Sequence, residues 1–432
     1  MYRVKRTPGG LKGALRGEWP LFMCGFRPFF LLTAASAALL MVTWLLMLRG
    51  LLPAPLPGGG LPWHGHELIF GCVTAAIAGF VLTAIPEFTQ SPPIASRRLV
   101  PLVLLWLAAR LAYALAGSWP AVIGLWPAAL CNLALWALLL ARVGPPLWRD
   151  AQRAHLGFAW ALGALLLLDM GFFAALQWGG NALAWLRAAV GVVMMLIVIA
   201  ASRVSMAVLN GLIEQGRPGV QTSNDTVYLA RPPRRNLAIF AIGVCSATEF
   251  ALGNDVVSGW TALAAAAGML NLLNDWHVGR PLFTRWALML YASYWLIALG
   301  YALLGAAWLG APLLPSAGRH LLMAGAMGLS IFTIMAMVGR IHAGLWLDRR
   351  PWLPLAATAL VLAALTRAAA GISLAAPWMT TLLTLSGILW SACFVLYLVM
   401  TWSVLTGPRT DGQQGCAEPL GRTSGHGGGE VC

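Results

Sequence analysis

Charged residues are scarce in this sequence. Asp, Glu, Lys and Arg make up 10% of its 432 residues, whereas 59% are hydrophobic and the mean hydropathy is +0.77. Because soluble domains carry about 25% charged residues, the composition excludes a soluble protein and indicates one that crosses a membrane many times. Acidic residues are the scarcer kind, 14 against 28 basic ones. In so apolar a chain we interpret the basic excess as loops that face the cytoplasm, and we expect no nucleic-acid partner.

Cysteine motifs are lacking as well. The seven cysteines show no CxxC spacing and no CxxCH motif, so a covalently attached c-type haem is not expected. Four of them, Cys72, Cys131, Cys245 and Cys393, lie in apolar runs, where a thiol behaves as a small apolar side chain. The first twenty residues are polar and basic, and we expect no cleavable signal there.

Long apolar runs are what the sequence has in abundance. Twelve are long enough to cross a bilayer. They cover roughly residues 26–48, 66–88, 99–117, 120–142, 155–177, 182–206, 236–252, 256–274, 286–306, 318–341, 353–373 and 378–405. The sequence therefore predicts an all-α, polytopic membrane bundle of about twelve transmembrane helices within residues 1–406, followed by a disordered Gly-rich tail over 407–432. Arginines recur in every second connection, which predicts that both termini are cytoplasmic.

Two histidines and a carboxylate stand at the predicted outer end of span two. His64, His66 and Glu67 open this apolar run, and ionisable groups at membrane depth are by default functional. Below Glu67, small residues recur every four positions at 71, 75 and 79, a stripe that would suit a haem wedged between helices. Two residues apart on a helix, the imidazoles point about 200° apart, so we expect them to reach different partners. Glu67 could orient an imidazole or relay protons; the alternative is a carboxylate that faces water.

Span ten repeats this arrangement. His320 lies at its predicted outer end, followed down one face by Ala324, Met327 and Gly328. The Met327 thioether could complete a haem axial pair with a histidine, although methionines in such runs more often pack. We therefore predict that spans two and ten meet near the periplasmic surface to hold a haem.

Four arginines map to the outer halves of their spans and would suit the propionates of that haem. They are Arg110, Arg187, Arg319 and Arg367. Snorkelling to the interface is the alternative. It is favoured for Arg187 and Arg319, and both interpretations stay open for Arg110 and Arg367.

The remaining histidines of the spans and loops, His155, His277 and His342, map to the predicted inner side. They could form a second site there, with Asp150 and Asp275 nearby in the sequence. Ordinary interface residues are the favoured interpretation.

Three motifs resemble those of the NnrS family. They are Trp63-His64-Gly65-His66-Glu67 with the helix that follows, Gly25-Phe26-Arg27-Pro28-Phe29-Phe30, and the run from His320 to Arg340. The resemblance implies a multi-pass protein of the bacterial inner membrane that contains b-type haem, and copper in addition, and is linked to denitrification and nitrosative stress. It implies His64, His66 and His320 as haem or metal ligands, with Glu67 and Arg27 in support.

The chain also departs from the pattern of that family. Relatives often carry a histidine in span nine, near Tyr291 of this chain, and a Gly-His-Thr-Gly run where this chain has Gly344-Leu345-Trp346. Two of the ligands that copper would use are thus absent here.

The first functional hypothesis is an oxidoreductase that binds nitric oxide at a histidine-ligated haem and reduces it. Quinol or a periplasmic carrier would supply the electrons, and Glu67 would carry protons. The second is a membrane transporter or a metal- or haem-handling protein of the nitric oxide stress response. A haem-based sensor is a third, although the cytoplasmic segments offer no output domain. The sequence leaves the oligomeric state open.

Overall fold

The structure is a computed structural model that describes residues 19–52, 56–216, 228–413 and 415–416. The N-terminal basic residues, His426 and the rest of the predicted Gly-rich tail lie outside these ranges. Residues 407–413 and 415–416 of that tail are described, and the side chain of Arg409 is buried.

Twelve helices long and apolar enough to cross a membrane are present in the described residues, and no β-strand forms there. They are α1 Phe26–Leu48, α2 Gly60–Phe88, α3 Ser96–Ser118, α4 Trp126–Arg149, α5 Leu156–Trp178, α6 Ala182–Gly216, α7 Pro232–Leu252, α8 Val256–Leu273, α9 Arg285–Trp308, α10 Pro315–Ile341, α11 Trp352–Ala369 and α12 Met379–Thr406. The predicted all-α membrane fold is therefore confirmed.

The ends of the spans differ from the prediction where turn residues decide them. Helix α4 begins at Trp126 instead of residue 120, because Gly124 has a positive φ of 60° and Pro127 suits a first helical turn. Helix α2 begins at Gly60, six residues earlier than predicted, so the two histidines lie inside a helix and not in front of it.

The chain divides into two compact units. Unit 1 contains α1–α5, residues Met335–Trp346 and the chain from Phe394 onward as far as it is described. Unit 2 contains the chain from Leu183 to Ile334 and from Leu347 to Cys393. In unit 1, α2 packs against α1 and α4, and 89% of its most apolar stretch is buried. In unit 2, α9 packs against both α8 and α10.

Two spans widen into π-helix directly after a histidine. In α2 the π-helical segment is Glu67–Val73, and in α10 it is Leu321–Met327. Segments of this kind are rare and are frequent at functional sites. Hydropathy does not reveal them, because π- and α-helices bury the same kinds of residues.

In the described residues, a disulfide joins Cys24, before α1, to Cys416, after α12. Their Cα atoms are 5.7 Å apart, and the sequence separation is 392. Cys72, Cys131, Cys245 and Cys393 are free thiols, three of them buried, as predicted for small apolar side chains.

Candidate functional site

The imidazole of His66 lies between two carboxylates in the interior of unit 1. Its Nδ1 is 3.1 Å from Oε1 of Glu67, and its Nε2 is 3.0 Å from Oδ1 of Asp169 on α5. His66 and Asp169 are fully buried, and Glu67 almost so. Four aromatic rings enclose the imidazole, with centroids 4.6–5.3 Å away: Phe70, Tyr113, Phe172 and Phe173. Both ring nitrogens are thus engaged, and ligation of a metal by His66 would require one carboxylate to leave.

Arg110 of α3 extends this cluster. Its Nε is 3.4 Å from Oε2 of Glu67, and its Nη2 donates to Oδ1 of Asn132 on α4. The guanidinium also lies 5.7 Å from the ring of Trp106. The partner of Arg110 is therefore a protein carboxylate. The sequence-based prediction had instead considered a haem propionate as its partner.

The cluster needs one more proton than its neutral histidine would supply. A neutral imidazole carries a single N–H, yet each nitrogen of His66 faces a carboxylate oxygen at hydrogen-bond distance. Either the ring is doubly protonated or one of the two carboxyls is. With an imidazolium, the charges of Glu67, Asp169, Arg110 and His66 sum to zero, the balance that a buried cluster requires.

The small-residue stripe of α2 is filled by protein side chains. A Cβ added at Gly71 would meet the guanidinium of Arg110, and one added at Gly79 would meet the ring of Phe30. Trp106 Nε1 donates to the carbonyl of Gly71 at 2.9 Å. At Gly71 and Gly79 the stripe is therefore covered by side chains of α3 and α1, and the predicted haem beside it stays a prediction.

His64 reaches a different partner from His66, in agreement with the angle expected between them. Its half-buried ring stacks on Trp44 of α1, with a centroid distance of 4.3 Å and an interplanar angle of 14°.

In unit 2, His320 stands on a more open face. Its Nδ1 donates to the carbonyl of Ser316 at 2.8 Å, which places the lone pair of the ring on Nε2. Down α10, Ala324, Ile331 and Ile334 follow at helical spacing, and all are half-buried like His320. Met327 is buried, and a Cβ at Gly328 would meet the ring of Trp390.

Arg319 does not snorkel. Its Nη1 is 2.5 Å from Oε1 of Glu249 on α7, and its guanidinium lies 5.6 Å from the ring of Trp308. Arg187 is close enough to both charges to interact with them electrostatically. Arg367 on α11 is half-buried, and no ion pair joins it to any residue that the structure describes. Of the predicted propionate partners, Arg110 and Arg319 form ion pairs with described carboxylates, whereas Arg187 and Arg367 do not.

The three inner histidines do not come together as a ligand set. His155 stacks on Phe88 at 4.8 Å, and His342 donates through Nδ1 to the carbonyl of Cys416 at 2.6 Å. His277 is exposed, and the neighbouring Asp275 binds Arg234 at 2.7 Å. The favoured interpretation as interface residues agrees with these contacts.

Comparison with known proteins identifies the family. The model of the NnrS protein family matches residues 20–409, nearly the whole chain. The chain belongs to the NnrS family. No curated protein matches it. Among solved structures, it resembles a chain in the cryo-EM structure of a heme-copper terminal oxidase dimer, with a TM-score of 0.63 and 12% identity over 91% of this chain and 86% of that chain. At that identity the likeness shows the fold alone.

The donor set of this NnrS protein suits a haem better than a separate copper ion. Within the described ranges, no group of three or more His, Cys, Asp or Glu side chains is arranged to hold a metal ion. A haem needs only one or two axial ligands. His320 fits such a ligand, because metal-binding histidines commonly donate their other N–H to a backbone carbonyl. The copper that the family suggests therefore has no ligand set in the described residues.

The sequence-based reasoning identified Asp169 as one of the few carboxylates within the spans but not as a partner of His66, and it missed Asn132 and Glu249. Each of these two is a single polar side chain in a long apolar span, and this was the signal that could have revealed them.

Proposed function

We propose that this NnrS-family protein is a membrane oxidoreductase that binds nitric oxide at a b-type haem and reduces it. The observation that carries the proposal is His320, whose Nδ1–H is held by the carbonyl of Ser316 and whose ring lies on a half-buried face of small and aliphatic residues. Membership of the NnrS family and a fold similar to that of a heme-copper oxidase support it.

His320 would ligate the haem iron, and the roles of His64 and His66 as ligands stay proposals. Arg367 is the best-placed partner for a propionate, since Arg110 and Arg319 already have carboxylates. When bound, haem supplies a redox centre at which nitric oxide, small and apolar enough to enter from the lipid, can be reduced. Two NO, two electrons and two protons give nitrous oxide and water, with quinol or a periplasmic carrier as the electron donor.

The chain's own contribution to this reaction is the proton path. Asp169, His66 and Glu67 touch in series through the two nitrogens of the imidazole. A proton accepted on Nε2 from Asp169 allows Nδ1 to release another to Glu67 without movement of any side chain. We therefore propose Glu67 as the group that delivers protons and Asp169 as the group that refills it.

A second candidate function is a transporter or a metal- or haem-handling protein. The enclosure of His66 by two carboxylates and four rings favours it, because a site closed in this way suits proton-coupled movement as well as redox chemistry.

The absorption spectrum of the full-length purified protein tests the proposal. We expect a b-type Soret band that shifts when nitric oxide is added, and a loss of at least tenfold in bound haem for His320→Ala. His277→Ala, at an exposed position, is the matched control and should keep the full band. A colourless wild-type protein would refute the haem and support the second candidate. A normal spectrum for His66→Ala would remove His66 from the ligands and leave it in the proton path.

A further inference from the structure

Arg27, at the start of α1, is completely buried in unit 1. Its Nη1 donates to three backbone carbonyls: Pro20 at 3.2 Å, Leu405 at 3.3 Å and Gly407 at 2.6 Å. These contacts join the segment before α1 to the end of α12. They account for one of the three nitrogens of the guanidinium.

The other two nitrogens, Nε and Nη2, are buried and have no hydrogen-bond partner among the described residues. No carboxylate in the described ranges forms an ion pair with Arg27. The charged group that acts on it is another cation, Arg409, whose own partner is Asp411 at 2.9 and 2.5 Å. Glu87 lies near His342 instead, at 3.6 Å.

Arg27 is therefore a buried positive charge that the described protein does not neutralise. Breaking a buried ion pair so that one charge stays uncompensated costs about 3–5 kcal/mol, and proteins avoid this state. Two arginines of the predicted outer halves behave differently, since Arg110 contacts Glu67 and Arg319 contacts Glu249. The difference points to a counter-ion other than a carboxylate of the described residues.

The geometry of the two unpartnered nitrogens indicates which kind of counter-ion they would bind. Nε and Nη2 share one edge of the guanidinium plane, and their N–H bonds are parallel, as bidentate binding of two oxygens of one anion requires. We propose that this edge of Arg27 binds an oxyanion of the phosphate class, either free phosphate or the headgroup phosphate of a phospholipid. The bound anion links α1 to the C-terminal segment at the point where the Cys24–Cys416 disulfide also joins them.

Two variants of Arg27 test the site in the full-length, detergent-purified protein. Arg27→Lys keeps the charge and can still donate to the three carbonyls, but it loses the two-pronged edge. Arg27→Met removes the charge. Arg149→Met, at an exposed position on the end of α4, is the matched control.

The first arm measures thermal unfolding after delipidation, in sodium phosphate and in sodium chloride of equal ionic strength. We expect phosphate to raise the midpoint of the wild type and of Arg149→Met by about 3 °C, and to leave both Arg27 variants unchanged. The second arm looks for co-purified phospholipid by native mass spectrometry. A lipid retained by the wild type and lost in Arg27→Lys assigns the phosphate to a headgroup, whereas a response to phosphate without retained lipid assigns it to the free ion.

The proposal is overturned if the wild type shows neither a phosphate response nor a retained lipid. It is equally overturned if chloride matches phosphate, or if Arg27→Lys behaves as the wild type does. No readout depends on haem, so the outcome is independent of the proposed function.

Discussion

Unit 1 and unit 2 contain the same residue types near their π-helical segments. In each, a span widens into π-helix directly after a histidine, His66 in α2 and His320 in α10. In each, an arginine above a tryptophan ring is paired with a glutamate: Arg110 with Glu67 in unit 1, and Arg319 with Glu249 in unit 2. The two centroid distances from arginine to tryptophan, 5.7 and 5.6 Å, are nearly equal.

The units differ in what surrounds the histidine. In unit 1 the arginine–glutamate pair includes the imidazole, because Glu67 contacts both His66 and Arg110, and Asp169 closes the other side. In unit 2 the pair forms without His320, whose ring is held by a backbone carbonyl on a half-buried face. The comparison teaches that the same residue types give a closed charge cluster where two carboxylates reach the imidazole, and a half-buried imidazole held by a backbone carbonyl where the carboxylate pairs with an arginine.

The largest expected effect follows from removing the carboxylates. Glu67→Ala removes the carboxylate that both Arg110 and His66 contact in the interior and should lower the free energy of unfolding by about 3–5 kcal/mol. Glu249→Ala removes the carboxylate that pairs with Arg319 at a less buried position and should cost about 1–3 kcal/mol. Denaturant unfolding in detergent measures both. Glu87→Ala, where the side chain is 45% exposed, is the control and should change stability by less than about 1 kcal/mol. If Glu67→Ala and Glu249→Ala lower the free energy of unfolding equally, the proposed difference between unit 1 and unit 2 is contradicted.

For glycines near the two histidines, we expect the larger loss of stability in unit 2, the reverse of the order expected for the carboxylates. A Cβ at Gly318 in unit 2 would meet backbone atoms of Gly300 and Leu304, which cannot move aside, whereas one at Gly71 in unit 1 would meet the flexible end of Arg110. We expect Gly318→Ala to cost about 2–3 kcal/mol and Gly71→Ala about 1 kcal/mol. Gly163→Ala in α5, with nothing near the added carbon, should be neutral or stabilising by up to about 1 kcal/mol. Thermal midpoints of the three variants provide the measurement.

Cysteine reactivity should also separate the units. The basic loops predict that Cys24 and Cys416 of unit 1 face the cytoplasm, where thiols are kept reduced. We expect both to be alkylated in growing cells and to be disulfide-bonded in protein purified in air. Cys245 and Cys393 of unit 2 are buried and should react in neither state without denaturant. A gel shift with a maleimide polymer measures the number of reactive thiols. If Cys24 and Cys416 stay disulfide-bonded in cells, the predicted orientation is contradicted.

The smallest expected effect concerns Asp411 of unit 1. Hydrogen bonds from Arg409 lower the pKa of this carboxyl below its usual value of 3.8. A lowered folded pKa contributes stability above the unfolded value and loses it as the pH falls through the folded one. Between pH 5 and pH 3 the thermal midpoint of the wild type should therefore fall slightly more than that of Asp411→Asn. Parallel curves would show that the exposed part of this pair is screened by solvent.

The parts of the candidate site that were predicted are those visible within one span. Glu67 and Arg110 each stand out as a charge in an apolar run, and His320 as an imidazole above small residues. Their partners were not predictable, because Asp169 is 103 residues from His66 and Glu249 lies on a span that no local motif links to Arg319. The residues that cover Gly71 and Gly79 on the stripe of α2 were not predictable for the same reason, since they come from α3 and α1.

The sequence by itself determined the class of the protein, the number of its spans and its family. Hydropathy is a sum over neighbouring residues, and about twenty apolar residues must form a helix if they cross a bilayer, since no other local structure satisfies the backbone there. Only the tertiary structure decided which charges meet, where the helices widen, and that the two ends of the chain share a disulfide. These depend on which helices are neighbours and at what rotation, and a pattern of residue types along one span carries no information about the span beside it.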